Sequence, residues 1–267
     1  MQKIANLNNK FNIKIYKKII KNFNNIENLY NKSKNYERFS KIIENEDIAQ
    51  SIIKLLTEDN IKEEVNIKYN EILKKNFKII TIEDKEYSLD LNESSNCFCI
   101  ISSKNISLNK SSIYIYYNEY FTKFAKNIIS YFSKIISSEN CNVICDYQTN
   151  DLENIQVEIL DWYNLNYVDY GNYIIFPNIC AYYTYILNRI RFLIIIEARY
   201  EEKIVNLVDY FLENGKDIYV VPSNVFRKNS YFSNYLIKQG AEVILNKQDL
   251  KYLVNNIICW QFFLFSI

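Results

Sequence analysis

The chain has 267 residues, of which 49% are hydrophobic and 24% charged, and its formal net charge is +1; these values are typical of a globular protein with one or two domains. Histidine is absent, which excludes the serine and cysteine nucleophile systems that depend on a histidine base. The six cysteines form no C-x-x-C pair, so we expect buried thiols and no metal site.

The distribution of apolar residues and charge bears on location and partners. No apolar run reaches the roughly 18 residues that a membrane helix needs, and the N-terminus lacks the apolar core and cleavage site of a signal peptide. We therefore expect a cytoplasmic protein without a membrane partner. Residues 1–80 contain 16 Lys and Arg against 10 Asp and Glu, whereas the remainder contains 16 against 21. A sheet domain that binds nucleic acid would be expected to carry the positive excess.

The first part of the chain is predicted to be helical. Ile15, Ile19, Ile20 and Phe23 share one face at helical spacing, and similar patterns follow at 39–56 and 65–76. The segment FKIITIE, 77–83, alternates like a strand. We predict a helical N-terminal domain over residues 1–76.

Strands and helices alternate from about residue 97. CFCII, SSIYIYY and NVICDY are predicted strands, with a long amphipathic helix at 119–138. In 192–250 an apolar run, a helix, a glycine turn, a strand, a Val-Pro stop, a helix and a Gly-Ala step follow one another, which indicates a βαβαβ unit. We predict an α/β, Rossmann-like domain at 77–250, with a mainly parallel sheet and helices on both faces, and an apolar tail at 251–267. Ligands of such sheets bind beyond the carboxyl ends of the strands.

The sequence of the βαβαβ unit, 192–250, resembles that of one protein family. Members of the DNA-processing protein A family (DprA, also called Smf) typically read E-A, then G-R-D-V-F-A-V-P-G-N-I-F, then T-N-x-L-I-x-x-G-A-x-x-V. The matching positions here are Glu197-Ala198, 215–222, Asn224, Phe226, Asn234, Leu236-Ile237 and Gly240-Ala241. The resemblance implies a SAM-like helical domain before the sheet domain. It also implies non-enzymatic binding of single-stranded DNA in DNA uptake (natural transformation) and recombination, loading of a RecA-type recombinase, a homodimer, and no cofactor.

The family's two phosphate-binding turns have changed. Its G-S-R turn aligns with Tyr117-Asn118-Glu119, and its G-x-A-R-G-I-D turn lies within 146–153, DYQTNDLE. Both turns have lost their glycines and arginines, and Glu119 and Asp151 would repel a phosphate. The stretch 154–168 is also shorter than in the family. By position in the family motifs, the DNA-binding residues would be Asn118, Lys123, Lys126, Thr149, Asn150 and Asn234.

Three functions follow from these observations. The first is weakened DprA-like binding of single-stranded DNA, helped by aromatic stacking and by basic residues that include Arg227 and Lys228. The second is a degenerate relative that acts as a protein-binding adaptor or regulator. The third is a Rossmann-like nucleotide-binding protein or enzyme, although no glycine-rich phosphate loop remains at either turn. Its candidate carboxylates are Glu119, Asp146, Asp151 and Glu153.

Overall fold

A computed structural model describes residues 13–23, 36–87, 99–103, 111–139, 141–145, 157–162, 172–176 and 179–264. The chain divides into two compact units. The first consists of Met1–Lys104 with Ile175–Thr184, and the second of Asn105–Ile174 with Tyr185–Ile267. The predicted domain limits after residues 76 and 250 stay predictions.

Within residues 13–23 and 36–76 the structure describes four helices, as the apolar spacing predicts. They are α1 (Ile13–Phe23), α2 (Tyr36–Ile43), α3 (Glu46–Thr57) and α4 (Asp59–Lys74). Ile19 and Phe23 of α1 are buried, and the rings of Phe23 and Phe39 lie 5.8 Å apart. The pattern at 39–56 forms two helices because Glu44 adopts a left-handed φ of 57° and Asn45 caps α3, accepting a 3.0 Å hydrogen bond from the Ile48 N–H.

An antiparallel strand pair follows in the same unit. Strand β1 (Phe77–Thr81) pairs with β2 (Cys99–Ser103). The predicted strand at 77–83 ends at Thr81, where the Asp84 carboxylate accepts hydrogen bonds from the Thr81 N–H at 2.6 Å and its hydroxyl at 2.8 Å. A local side-chain contact therefore ends the strand.

The second unit contains a parallel sheet. Its described elements begin with β3 (Ser112–Tyr117), α5 (Lys123–Ser138), β4 (Asn142–Cys145) and β5 (Val157–Trp162). Strand β6 (Asn172–Phe176) and helix α6 (Ile179–Arg189) follow, and both cross the division between the units. The remaining elements are β7 (Ile190–Glu197), α7 (Glu202–Glu213), β8 (Asp217–Val220), α8 (Tyr231–Lys238), β9 (Glu242–Val243) and α9 (Lys247–Leu264). The pairings within this unit run β5-β4-β3-β7-β8-β9, all parallel. The stretch interpreted as shortened, 154–168, contains β5.

The central strands are buried on both faces. All six residues of β3 and seven of the eight in β7 are buried, which is typical of parallel strands covered on both sides. Ile129 and Phe132 of α5 pack in one cluster with Leu250 and Val254 of α9. Helix α7 contacts β8, and helix α8 contacts both β7 and β8. The buried residues of these two helices lie outside that cluster, on the opposite face. The predicted fold class is confirmed.

A helix begins before the predicted C-terminal tail and continues into it. Helix α9 crosses the predicted limit at residue 250 and buries residues on both sides of it, Leu250 and Val254. Asn246 caps it by accepting from the N–H groups of Gln248 and Asp249, and Asp249 accepts in return from the Asn246 N–H. Among the helices that the structure describes, none is both long enough and apolar enough to span a membrane.

Two glycines end helices of the second unit. Gly215 after α7 has φ +65°, and Gly240 after α8 has φ +101°. After α7, the N–H of Lys216 donates to the Phe211 carbonyl at 2.9 Å and that of Gly215 to Leu212 at 3.0 Å. This is the Schellman pattern, which favours glycine because other residues are strained at positive φ.

Replacing either glycine tests this role. A Cβ at Gly215 or Gly240 would meet no atom within 4 Å, so the cost is conformational alone. Gly215→Ala and Gly240→Ala should each lower the free energy of unfolding by about 1 kcal/mol in urea denaturation. Glu213→Ala, exposed at the end of α7, is the control and should stay within about 0.5 kcal/mol of the wild type. Glycine variants as stable as the control would contradict the interpretation.

Candidate nucleic-acid interface

The carboxyl ends of β3, β7 and β8 meet at one edge of the parallel sheet. The strand order reverses between β3 and β7, and such a reversal opens the crevice where sheets of this class bind ligands. The loops after the three strands, together with the first turn of α5, form this edge. We call residues 118–127, 198–201 and 221–231 the carboxyl-edge surface.

A buried carboxylate connects the three loops. Glu197, the last residue of β7, is completely buried. Its Oε1 accepts a 2.8 Å hydrogen bond from the Thr122 hydroxyl and lies 3.5 Å from the Ser223 hydroxyl, while its Oε2 accepts from the Thr122 N–H at 3.3 Å. Ser223 in turn shares a 2.7 Å hydrogen bond with Ser230. The loops after β3 and β8 are therefore both held by the end of β7.

Glu197 lies at the N-terminus of α5. Thr122 is the N-cap of this helix. Its hydroxyl oxygen accepts a hydrogen bond from the Ala125 N–H at 3.2 Å, and the same hydroxyl donates a hydrogen bond to Glu197. The positive end of the helix dipole stabilises the carboxylate. In the part of the chain that the structure describes, no ion pair involves Glu197. An internal carboxylate thus accepts from the N-cap residue of α5, at the end of the helix where many proteins of this class bind a phosphate.

Ala198, the residue after Glu197, supplies an acceptor to the N-terminus of a second helix, α8. The carbonyl oxygen of Ala198 accepts from the Phe232 N–H at 2.9 Å and from the Ser233 N–H at 3.4 Å, in the first turn of α8. The N-termini of α5 and α8 therefore both receive acceptors from the protein. The Glu-Ala pair supplies the two acceptors.

Asparagines connect the rim of the surface. Asn118 is buried; its Oδ1 accepts from the Arg199 N–H at 3.0 Å and its Nδ2 donates to the Asn229 carbonyl at 3.1 Å. Asn229 accepts from Arg199 Nε at 2.7 Å and donates to the Tyr120 carbonyl at 3.1 Å. The Arg199 guanidinium is thereby held in a fixed direction at the rim.

Two hollows open on this surface. One, of ≈ 390 Å³, is lined by Phe124, Glu197, Pro222, Ser223, Asn224 and Arg227. The other, of ≈ 590 Å³, is lined by Glu119, Tyr120, Phe121, Thr122, Lys123, Lys126 and Asn127. Each combines at least one aromatic ring with at least one cation.

Large aromatic side chains project from the same loops. Phe226 is 94% exposed, Tyr120 73% and Tyr200 64%. Phe226 lies on an ordered turn, because its N–H donates to Asn224 Oδ1 at 2.9 Å and the Arg227 N–H donates to the Asn224 carbonyl at 3.2 Å. Exposed rings beside cations are what a single-stranded nucleic acid stacks on.

The residues predicted from the family motifs have different environments. Lys123 is exposed, Lys126 is half-buried, and both line the larger hollow. Asn118 uses its side chain inside the protein, as above. Asn234 of α8 is half-buried and bonds to the Ser223 backbone at 3.1 and 3.4 Å. Thr149 and Asn150 lie outside the described residues.

The carboxylates of the enzyme hypothesis do not form a described site. Glu119 is exposed beside Lys123, while Asp146, Asp151 and Glu153 lie outside the described residues. Across the ranges that the structure covers, no group of three or more Cys, Asp and Glu could hold a metal ion. The thiols of Cys141 and Cys145 are buried, as expected from the sequence.

Sequence reasoning missed the central residues of this surface. Glu197 was part of the family pattern without a role, and Thr122, Ser223 and Asn229 were not singled out. One signal was present: FLIIIE places a carboxylate at the end of an apolar run, so a buried charge at a strand end could have been inferred.

The sheet order, the covering helices and the crevice define a Rossmann-like α/β protein. No protein-family model and no curated protein matches the sequence. Among solved structures, the fold is similar to DNA processing protein A of Helicobacter pylori, with 13% identity and a TM-score of 0.53 over 69% of this chain and 97% of that one. It is also similar to DprA of Streptococcus pneumoniae, with 13% identity and a TM-score of 0.59 over 89% and 91%. The chain thus has a DprA-like fold, as the sequence resemblance implies. The H. pylori protein binds single-stranded DNA in a mode described as unique.

Removing the Glu197 carboxylate should destabilise the protein. Glu197→Ala leaves the Thr122 hydroxyl and the α5 N-terminus without their buried acceptor, so the free energy of unfolding should fall by about 2–4 kcal/mol in urea denaturation. Glu197→Gln, which keeps one acceptor oxygen, should lose less.

The matched control is Glu202→Ala, which removes an exposed carboxylate from the first turn of α7. It should change the unfolding free energy by no more than about 1 kcal/mol, the contribution of an exposed carboxylate to the first turn of a helix. Equal effects at positions 197 and 202 would show that Glu197 does not hold the loops together.

Proposed function

We propose that this protein is a non-enzymatic, DprA-like protein that binds single-stranded DNA at the carboxyl-edge surface. The observation that carries the proposal is the combination of exposed aromatic rings and exposed cations on loops that end three adjacent parallel strands. Rings such as Phe226 and Tyr120 offer faces to bases, and cations such as Lys123 and Arg227 attract phosphates. The DprA-like fold supports the proposal, since a protein of the same fold binds single-stranded DNA.

The charge of the surface favours moderate affinity. Its exposed or half-buried cations are Lys123, Lys126, Arg199, Arg227 and Lys228, and its exposed anions are Glu119 and Glu201. The buried carboxylate of Glu197 adds negative charge next to the smaller hollow. A phosphate-binding turn rich in glycine and arginine is absent after β3. Binding is therefore expected to be weaker than a phosphate cradle would provide.

Binding can be measured directly by fluorescence anisotropy with a labelled oligo-dT of about 15 nucleotides at low salt. We expect saturable binding by the wild type. Arg227→Ala combined with Lys228→Ala removes two exposed cations from the loop after β8 and should weaken binding at least about fivefold.

Lys134→Ala is the matched control. Lys134 is exposed on α5, eleven residues after Lys123 and so about 16 Å along the helix, away from the loops. It should bind oligo-dT like the wild type. No binding at high micromolar protein, or equal losses in both variants, would contradict the proposal.

The proposal extends to the protein's setting. By the family resemblance, we propose a cytoplasmic homodimer that acts in DNA uptake and recombination and loads a RecA-type recombinase onto the DNA. A second candidate is an adaptor or regulator that binds proteins without DNA. The observation that favours it is that Glu197 and the Ala198 carbonyl accept from N–H groups at the N-termini of α5 and α8.

Capture of a purified RecA-type recombinase on the immobilised protein distinguishes these candidates. We expect capture, with binding increased by oligo-dT if the protein loads the recombinase on DNA. Capture by a protein that fails to bind oligo-dT would favour the adaptor. Absence of capture with and without DNA would remove the recombinase from the proposal.

A further inference from the structure

We infer that the carboxyl-edge surface recognises single-stranded DNA through its bases, by stacking, and not by holding phosphates at helix N-termini. The inference rests on the proposed function and specifies its chemistry. It assigns stacking to Phe226 and to the hollow between Phe124 and Pro222. The ligand class that follows is an unpaired strand whose bases are free to splay out.

The first step is the state of the helix N-termini. A phosphate binds such an end because N–H groups without partners point at it. At α5 the Thr122 N–H donates to Glu197 and the Ala125 N–H to the Thr122 hydroxyl, so two of the four N–H groups at this helix end are engaged within the protein. At α8 the Phe232 and Ser233 N–H groups donate to the Ala198 carbonyl. A phosphate at α5 would also lie next to the negative charge of Glu197, which repels it.

The second step is the exposure and order of the aromatic rings. Phe226 exposes almost its whole side chain in the loop after β8, where nothing in the hydrophobic core requires it. Its turn is held by Asn224, and the loop is tied to the other two through Ser223, Ser230 and Asn229. A ring on an ordered loop loses little conformational entropy when a base stacks on it.

The third step is the smaller hollow. Its lining includes an aromatic ring, a proline ring and a guanidinium, from Phe124, Pro222 and Arg227. Such groups stack on a nucleobase whatever its sequence. The polar side chains of Ser223 and Asn224 lie in the same hollow, where they can reach the edge of a base. The volume of ≈ 390 Å³ makes it a local pocket and not a groove for a duplex.

The fourth step is the charge balance. The exposed anions Glu119 and Glu201 offset part of the positive charge on the same loops, and the Arg199 guanidinium is engaged with Asn229. Few cations therefore remain for phosphates. For single strands, a plot of the logarithm of the binding constant against the logarithm of the salt concentration has a slope of about −0.7 per neutralised phosphate. With at most about three phosphates neutralised, we expect a slope no steeper than about −2.

The test compares two oligonucleotides with the same number of phosphates. One is oligo-dT of about 15 nucleotides, and the other has an abasic tetrahydrofuran unit at every position. Anisotropy with the full-length protein at low salt should show at least about tenfold weaker binding of the abasic strand. The salt slope is measured with oligo-dT in the same series.

The matched variants are Phe226→Ala and Leu245→Ala. Both remove an exposed apolar side chain, and Leu245 lies in the loop before α9, outside the carboxyl-edge surface. Phe226→Ala should weaken oligo-dT binding at least about fivefold and leave abasic binding unchanged, whereas Leu245→Ala should change neither. Thermal denaturation of each variant checks that it is folded.

The outcomes separate this inference from the proposed function. If oligo-dT and the abasic strand bind equally well, or the salt slope is much steeper than about −2, phosphates carry the recognition and the inference is overturned while DNA binding stands. If neither strand binds, the proposed function fails and the inference with it. If Phe226→Ala binds oligo-dT like the wild type, stacking on that ring is excluded.

Discussion

The carboxyl edge of the parallel sheet depends on the hydrogen bonds that the Glu197 carboxylate accepts. Glu197 ends the central strand β7 with no exposure to solvent, and a buried charge without donors costs more than the protein can tolerate. Its donors come from Thr122, at the start of α5, and from Ser223, in the loop after β8. The need to satisfy one charge therefore sets where α5 begins and brings three loops together.

The same contact constrains function. A Rossmann-like sheet offers helix N-termini to anionic ligands, but here the protein supplies the acceptors itself, through Glu197 and the Ala198 carbonyl. Under the proposed function, recognition falls to side chains on the loops, where exposed rings such as Phe226 lie beside a limited number of cations. The fold sets the position of these loops, and the residues on the loops set their chemistry.

Much of the fold could be predicted because its signals are local. The apolar runs of β3 and β7 predict buried strands, and both strands are buried. The glycines at 215 and 240 predict turns, and both have a positive φ. Two details needed more. The division of 39–56 into two helices depends on the backbone of Glu44, and the packing of α9 past residue 250 depends on the core that it joins.

The sequence by itself determined the α/β class, the parallel sheet and the absence of glycine and arginine from the turn after β3, since strand burial, helical spacing and residue type act over a few positions along the chain. Only the tertiary structure decided how the site is built. The side chain of Asn118 bonds to Arg199 and to Asn229, and Asn229 is more than a hundred positions along the chain from it. Glu197 showed its role only when Thr122 and Ser223 were brought to it. The physical reason is that hydrogen-bond satisfaction of a buried polar group depends on its neighbours in space, which local sequence patterns do not specify.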